Sequence, residues 1–217
     1  MIFTHSDDLQ LVKRIGNEFK TLVNKRYRLL EIEIDGFFQR MLLLKKKKYA
    51  ALVAEEKNGQ IITTMETKGL EEVRRDWCQL SKDCSRYILS QLFSGAVREE
   101  AIENIHTYLK TIGDRVRIGG FDTDQFTIYK SLTKNPEDYS DKASQPHVQV
   151  ALALKAKGQS FRIGDTIPYV ICEGSSDLIA SRAHHPDMVK KENSLLKIGT
   201  LIIIPNKPNS IKITCGI

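Results

Sequence analysis

The stretch that most constrains the fold runs from Leu42 to Val53, where three leucines lead directly into four lysines and a tyrosine. Its apolar ends favour burial in a sheet. Its four ammonium groups cannot be buried without partners, because an unpaired charge in an apolar interior costs far more than such packing returns. If the stretch forms one continuous strand, its lysines alternate between the two faces of a rigid element. We therefore predict a basic ridge on a strand, suited to a polyanion that is held in register.

The positive charge of the chain is concentrated around this stretch. The net charge is +6, and residues 1–50 carry 11 Lys and Arg against 6 Asp and Glu. The remaining residues carry 22 against 21, which is nearly neutral. A local excess of this kind favours a local anionic partner over a generally basic surface.

The composition is that of an ordinary globular chain. The 217 residues are 41% hydrophobic and 28% charged. No apolar run reaches the length of about 20 residues that spans a bilayer, and the N-terminus lacks the basic start and apolar core of a secretory signal. The four cysteines form no CxxC pair. These features predict reduced thiols, no membrane association, and a cytosolic or nuclear location.

The first part of the chain predicts one helix and a small antiparallel sheet. Apolar residues recur at helical spacing over about 6–29, after a capping Ser6. Residues 30–35 alternate with a period of two, which predicts a half-buried strand before a turn at Asp35-Gly36. Lys57-Asn58-Gly59-Gln60 predicts a hairpin between residues 50–55 and 61–67.

After residue 68 the pattern becomes mainly helical. Long helices are predicted over about 73–92 and 102–116, and shorter ones over 146–156 and 186–196. Short strands are predicted at 124–129 and 169–172, with a turn or short helix at 133–139. The fold class is therefore α+β, a small antiparallel sheet with a packed helix followed by a mainly helical region with short strands. Residues 198–217 differ in character and predict either a terminal hairpin or a tail foreign to the fold.

Several motifs resemble, in the same order, the end of the palm and the start of the thumb in family B DNA polymerases. They are LEIEIDG at 30–36, LLLKKKKYAALV at 42–53, KGLEEVRRDWC at 68–78, LTKNPEDY at 132–139, QPHV at 145–148 and GDTIPYVIC at 164–172. The resemblance covers residues 1–197. It implies palm for 1–67, a duplex-gripping thumb for 68–197 and a divergent tail for 198–217.

The resemblance also implies a function and partners. Such a protein belongs to a nuclear replicative DNA polymerase that performs template-directed nucleotidyl transfer. Its ligand is primer–template DNA or an RNA–DNA hybrid, and primase and accessory subunits are partners within that family. This segment is expected to bind the duplex.

The resemblance also implies site residues, which lie in the lysine-x-tyrosine element and in the thumb motifs. Lys47 is implied to reach into the minor groove near the primer end, and Tyr49 to contact the nucleic-acid backbone. Every base pair offers acceptors in the minor groove, so a lysine there senses pairing without reading sequence. Lys45, Lys46 and Lys48 are expected to neutralise phosphates, which makes binding salt-sensitive. The implied phosphate partners in the thumb are Arg74, Arg75 and Lys134.

Catalytic residues and metal ligands are not expected in this chain. In the family, two aspartates hold two metal ions, Mg²⁺ in the full-length enzyme, and one of them lies in a strand expected just before residue 1. We interpret Asp7 and Asp8 as acids of a helix start. The isolated chain is therefore expected to be a fragment without polymerase activity. The alternatives are a non-catalytic nucleic-acid-binding module and a protein-interaction domain whose lysines meet an acidic partner.

Overall fold

The computed structural model describes residues 1–70 and 75–191, together with the backbone of residues 204–205 and 211–212. The chain divides into two compact units, Met1–Leu70 and Glu71–Ile217. Each unit contains a three-stranded antiparallel sheet and at least one helix, so the predicted α+β class is confirmed. Val73, Arg74 and the predicted end of the last helix lie outside the described residues.

The first unit begins with helix α1, Leu9–Arg26, inside the predicted range. Its N-cap is Asp8 rather than the predicted Ser6, since Asp8 Oδ1 accepts hydrogen bonds from the backbone N–H groups of Gln10 and Leu11 at 2.9 and 3.3 Å. A carboxylate at this position satisfies donors that the helix cannot pair itself. On the following turn, Lys13 Nζ lies 2.8 Å from Glu56 Oε2, which joins the helix to the sheet.

Three strands form the first sheet in the order β1-β2-β3: β1 Phe38–Lys45, β2 Lys48–Lys57 and β3 Gln60–Lys68. The predicted hairpin between β2 and β3 is confirmed. Asn58 and Gly59 occupy its turn with φ values of 54° and 76°. Two successive positive φ values give the turn a twist that matches the strands, and Asn-Gly is the pair that adopts them most readily.

The strand predicted over residues 30–35 is wrong. Side-chain exposure does alternate there, but these residues belong to no sheet, and Asp35-Gly36 is not a turn. The backbone of Ile32 instead pairs with a side chain of α1. Its N–H donates to Asn24 Oδ1 at 2.8 Å, and its carbonyl accepts from Asn24 Nδ2 at 3.1 Å. Because an amide side chain supplies both partners, the backbone of Ile32 needs no neighbouring strand.

Two long helices open the second unit, α2 Gln79–Phe93 and α3 Arg98–Arg117. They pack through Cys84, Leu109 and Ile112, all buried. The start predicted near residue 73 is too early. Arg75–Trp77 lie in a turn and a bend, and Cys78 is an extended N-cap with ψ of 159°.

The second sheet has the order β4-β5-β6: β4 Ile128–Ser131, β5 Thr166–Ile171 and β6 Ala183–His184. The strand predicted at 124–129 starts later, because helix α4, Thr123–Phe126, takes up the first part of that segment. The other helices are α5 Pro146–Lys155, α6 Pro186–Lys191 and the 3₁₀ segments Pro136–Asp138 and Ile179–Arg182. Leu132, Val148, Ile167 and Tyr169 lie at the centre of this core, each at most 1% exposed.

In the tail, the backbone of Ile204–Pro205 pairs antiparallel with that of Ile211–Lys212, forming β7 and β8, as a terminal hairpin would. The other residues of 198–217 lie outside the described set. Within the described residues, no helix combines the length and the apolar character needed to cross a membrane.

Candidate nucleic-acid interface

The lysine run is a hairpin turn, so the prediction of one continuous strand is wrong. β1 ends at Lys45 and β2 begins at Lys48, leaving Lys46 and Lys47 as the turn between two antiparallel strands. We call Lys45–Lys48 the lysine turn. The apolar ends of the stretch lie on opposite strands. Leu43 and Leu44 are each 56% exposed, whereas Ala50 and Ala51 are fully buried. Burial in this sheet therefore involves the alanines of β2 more than the leucines of β1.

Lys47 has a left-handed backbone, with φ of 63°. Such a conformation is uncommon for a residue with a long side chain, and glycine normally adopts it without steric cost. The pairing is irregular just before the turn, since the register shifts between Leu43 and Lys45. The extra residue bends the strand and aims the following side chains away from a regular pleat. The lysine turn is thus a strained feature, and strain of this kind concentrates at functional sites.

The side chains of Lys45, Lys46 and Lys47 are exposed. Within the part of the chain that the structure describes, none of the three forms an ion pair or a side-chain hydrogen bond. The carboxylates of the same sheet are engaged elsewhere: Glu55 pairs with Lys57 and Glu66 with Lys68, at 2.8 and 3.0 Å. Three neighbouring cations without counter-charges form a local positive potential that attracts a polyanion.

Tyr49 anchors the turn to the sheet. It pairs with Lys68 across β2 and β3, and its hydroxyl donates to Glu66 Oε1 at 3.0 Å. Its ring meets Phe38 edge to face, with centroids 6.4 Å apart, and Lys68 Nζ lies 5.5 Å from the ring centroid. These contacts fix a residue that stands two positions after Lys47. The lysine turn is therefore carried on a positioned hairpin.

The Tyr49 contacts also set the protonation of their neighbours. Hydrogen bonds from Lys68 and then from Tyr49 lower the pKa of Glu66, because both stabilise its carboxylate. Hydrogen bonds with Tyr49 and Glu66 raise the pKa of Lys68. Glu66 and Lys68 are thus both charged at neutral pH and neutralise each other. Among the described residues, unpaired positive charge therefore remains on Lys45, Lys46 and Lys47.

The second unit has its own cationic surface, an open cavity of about 390 Å³. Three cations contribute to its lining, Arg75, Lys82 and Lys130, with Asp76 as the acidic member. Lys130 Nζ lies 3.4 Å from Gln145 Oε1. The hydroxyls of Ser131 and Thr166, 2.9 Å apart, complete a set of donors that suits an anion such as a phosphate. Of the predicted thumb residues, Arg75 is in this cavity and Lys134 is not among its lining residues.

Lys134 lies in an exposed loop whose backbone is hydrogen-bonded to the side chain of Tyr139. The N–H of Thr133 donates to Tyr139 Oη at 2.7 Å. Tyr139 packs edge to face on His147, with ring centroids 5.9 Å apart. His147 is only 2% exposed, and burial together with the charge of Lys130 lowers its pKa to about 4. His147 is thus a neutral core residue under the loop that carries Lys134.

Sequence reasoning missed four residues that the structure associates with these surfaces: Glu66, Lys68, Lys82 and Lys130. Glu66 and Lys68 join Tyr49 only through the register of β2 and β3, and Lys82 and Lys130 share a cavity although they belong to different elements. The alternation of charged residues on residues 61–68 is the only sequence signal that could have indicated the first pair.

A metal site is not evident among the described residues. No three His, Cys, Asp or Glu side chains there are grouped so that they could hold an ion. Asp8 uses a carboxylate oxygen to cap α1.

Comparisons with known proteins agree on one family. The sequence model of DNA polymerase family B matches residues 1–201. The DNA polymerase alpha catalytic subunits of Mus musculus and Xenopus laevis are 48% and 47% identical over 198 residues. Each alignment covers 90% of this chain. The chain spans only 14% of the length of these relatives.

A solved structure supports the same relationship. The family B DNA polymerase from the hyperthermophilic archaeon Pyrobaculum calidifontis superposes with a TM-score of 0.60 at 27% identity. The superposition covers 85% of this chain and 22% of the archaeal chain. Since neither unit alone makes up 85% of the chain, the match includes residues of both units.

Proposed function

The chain belongs to DNA polymerase family B, and from that premise we propose that it serves DNA-directed DNA synthesis by holding primer–template duplex. The lysine turn is the element that we assign to the newly formed end of the duplex. Lys47 is proposed to enter the minor groove, and Tyr49 to contact the nucleic-acid backbone. Lys45, Lys46 and Lys48 are proposed to lie against phosphates.

The observation that carries this proposal is the state of Lys45, Lys46 and Lys47. Their ammonium groups are exposed and unpaired among the described residues, on a hairpin that Tyr49 anchors. Phosphates bound by such lysines release condensed counterions, which drives association with DNA whatever its sequence. A rigid turn also fixes the position of the protein along the duplex, because its cations stay at fixed positions relative to the phosphates.

The second unit supports the proposal with further cations. Arg75, together with Lys82 and Lys130, provides a concave donor set for a phosphate. Lys134 stands on a loop that Tyr139 fixes. We assign the thumb role to residues 68–197 and the palm role to residues 1–67.

The wider function follows from the relatives. We propose that the protein acts in replication in the nucleus, with primase and accessory subunits as partners, since the matched relatives are catalytic subunits of DNA polymerase alpha. Mg²⁺ would supply the metal chemistry of nucleotidyl transfer in the family enzyme. We assign no step of that chemistry to the described residues of this chain. Their part is binding and orienting the duplex.

The binding of a labelled primer–template duplex, measured by fluorescence anisotropy over a range of salt concentrations, tests the proposal. We expect the affinity of the 217-residue protein to fall steeply with salt. Lys46→Gln should reduce the log–log slope by about 0.9, because one phosphate contact is lost. Lys57→Gln is the matched control. It removes the same charge at the other turn of the same sheet, where Lys57 is already paired with Glu55 at 2.8 Å.

Three outcomes would count against the proposal. Equal changes for Lys46→Gln and Lys57→Gln would mean that the lysine turn has no special part in binding. Competition by polyglutamate that matches competition by unlabelled duplex at equal charge would favour an acidic protein partner instead. A salt-independent affinity would exclude phosphate contacts as the driving force.

A further inference from the structure

We propose that Gly69 is a positioning residue for the lysine turn. Because Gly69 has no Cβ, the carbonyl of Lys47 can lie against it, and this contact sets the direction of the Lys47 side chain. This inference rests on the proposed function, because it explains how Lys47 is held for a duplex. Gly69 directly follows β3 and lies beside the start of β2, since Lys68 pairs with Tyr49. It is therefore a neighbour of the turn in space although 22 positions separate it from Lys47 in sequence.

Contact between Gly69 and the turn is made through the backbone. A Cβ atom added to Gly69 would lie 2.3 Å from the carbonyl oxygen of Lys47 and 3.3 Å from Lys48 Cγ. The first distance is far inside van der Waals contact, and a carbonyl oxygen cannot turn aside as the end of a flexible side chain can. Gly69 also has φ of +66°, a conformation that favours glycine. Both features require glycine at this position.

The contact fixes the peptide plane that follows Lys47. Lys47 is itself left-handed, with φ of 63°, and a strained residue keeps such a conformation only where its surroundings determine it. With the carbonyl of Lys47 lying against Gly69, the backbone on the C-terminal side of Lys47 has little freedom to rotate. The direction of the Lys47 side chain from Cα is then set by the fold.

The test compares Gly69→Ala with Gly59→Ala in the 217-residue protein. Gly59 lies in the other turn of the sheet with φ of +76°, and nothing lies within 4 Å of a Cβ added there. Both variants therefore introduce an alanine at positive φ, but only Gly69→Ala displaces the lysine turn. We expect Gly69→Ala to weaken binding of primer–template duplex roughly tenfold, as expected for loss of one well-placed contact, and Gly59→Ala to change it less than about twofold.

A double-mutant cycle separates positioning from general destabilisation. If Gly69 acts through Lys47, Gly69→Ala should weaken binding in the wild-type background and have little further effect in the Lys47→Ala background. A purely structural role would reduce affinity by the same factor in both backgrounds. Circular dichroism and hydrogen exchange in β2 check that each variant is folded. If Gly69→Ala is unfolded, Gly69→Asn replaces it with Gly59→Asn as control, because asparagine tolerates the left-handed region.

The outcomes also distinguish this inference from the proposed function. If Lys47→Ala weakens binding and Gly69→Ala binds like the wild-type protein, only the role of Gly69 is overturned. Additive effects in the cycle would overturn it as well. If neither Lys47→Ala nor Lys46→Gln affects a salt-dependent affinity, the assignment of the lysine turn to the duplex fails.

Discussion

Replacing Lys47 by glycine is expected to stabilise the lysine turn and to weaken duplex binding at the same time. Lys47 has φ of 63°, and a left-handed residue with a side chain costs about 1 kcal/mol or more relative to glycine. Lys47→Gly removes that cost and also removes the ammonium group. We expect the free energy of opening of the hairpin to rise by about 1 kcal/mol and the affinity for primer–template duplex to fall roughly tenfold.

Lys47→Ala provides the matched control, because it removes the same charge and keeps the left-handed strain. Its affinity should fall as far as that of Lys47→Gly, without the gain in stability. Hydrogen exchange of peptides covering β1 and β2 reports the stability, and fluorescence anisotropy reports the affinity. Should Lys47→Gly bind as tightly as the wild-type protein, the ammonium group of Lys47 has no part in binding, and its strained backbone needs another explanation.

A lysine where glycine would be more stable also explains why the sequence pattern predicts a strand here. Residues 42–53 contain no Gly, Pro, Asn or Asp that would indicate a turn. The turn forms because the register of β1 and β2 shifts at Leu43 and because the backbone of Gly69 makes room for the carbonyl of Lys47. Both causes are tertiary, so no local pattern contains them.

Where the local chemistry agrees with the fold, the predictions are confirmed. Asn58-Gly59 predicts the second hairpin because these residues adopt positive φ most readily. The helical spacing of residues 102–116 predicts α3, which buries Leu109 and Ile112 on one face. The resemblance to family B DNA polymerases, which rests on motifs in a common order, is confirmed by the match over residues 1–201.

Among the site residues, too, the features set by local chemistry could be predicted and those set by tertiary contacts could not. Exposure of the lysines follows from their charge, and the structure agrees with it for Lys45, Lys46 and Lys47. The bond from Tyr49 to Glu66 depends on which residues of β3 face Tyr49, which the register alone decides. The cavity around Arg75 depends on the packing of separate elements. The contacts of Arg75 and Lys134 with phosphates stay predictions.

In the second unit, the largest expected effect is a loss of stability in mild acid that His147 controls. Burial, with a contribution from the charge of Lys130, lowers the pKa of His147 from 6.5 to about 4. The folded protein therefore holds this imidazole neutral, while the unfolded chain binds a proton once the pH falls below about 6.5. Stability is then fully present above pH 6.5 and decreases as the pH falls towards 4. Between pH 7.5 and pH 5 the expected loss in the free energy of unfolding is about 2 kcal/mol.

Trp77 makes this measurable, because it is the single tryptophan of the chain and packs against the core that contains Val148. Urea unfolding followed by its fluorescence at the two pH values gives the difference directly. His147→Phe is the control: it keeps a ring against Tyr139 and removes the titrating group, so its stability should change much less over this range. Carboxylates with lowered pKa, such as Glu137, lose most of their contribution below about pH 4.5, so they add little to the difference over the interval chosen. A wild-type protein equally stable at both pH values would show that folding does not lower the pKa of His147, so that its imidazole is protonated at pH 5 in the folded state too. The loop that carries Lys134 would then not be supported by a neutral core histidine.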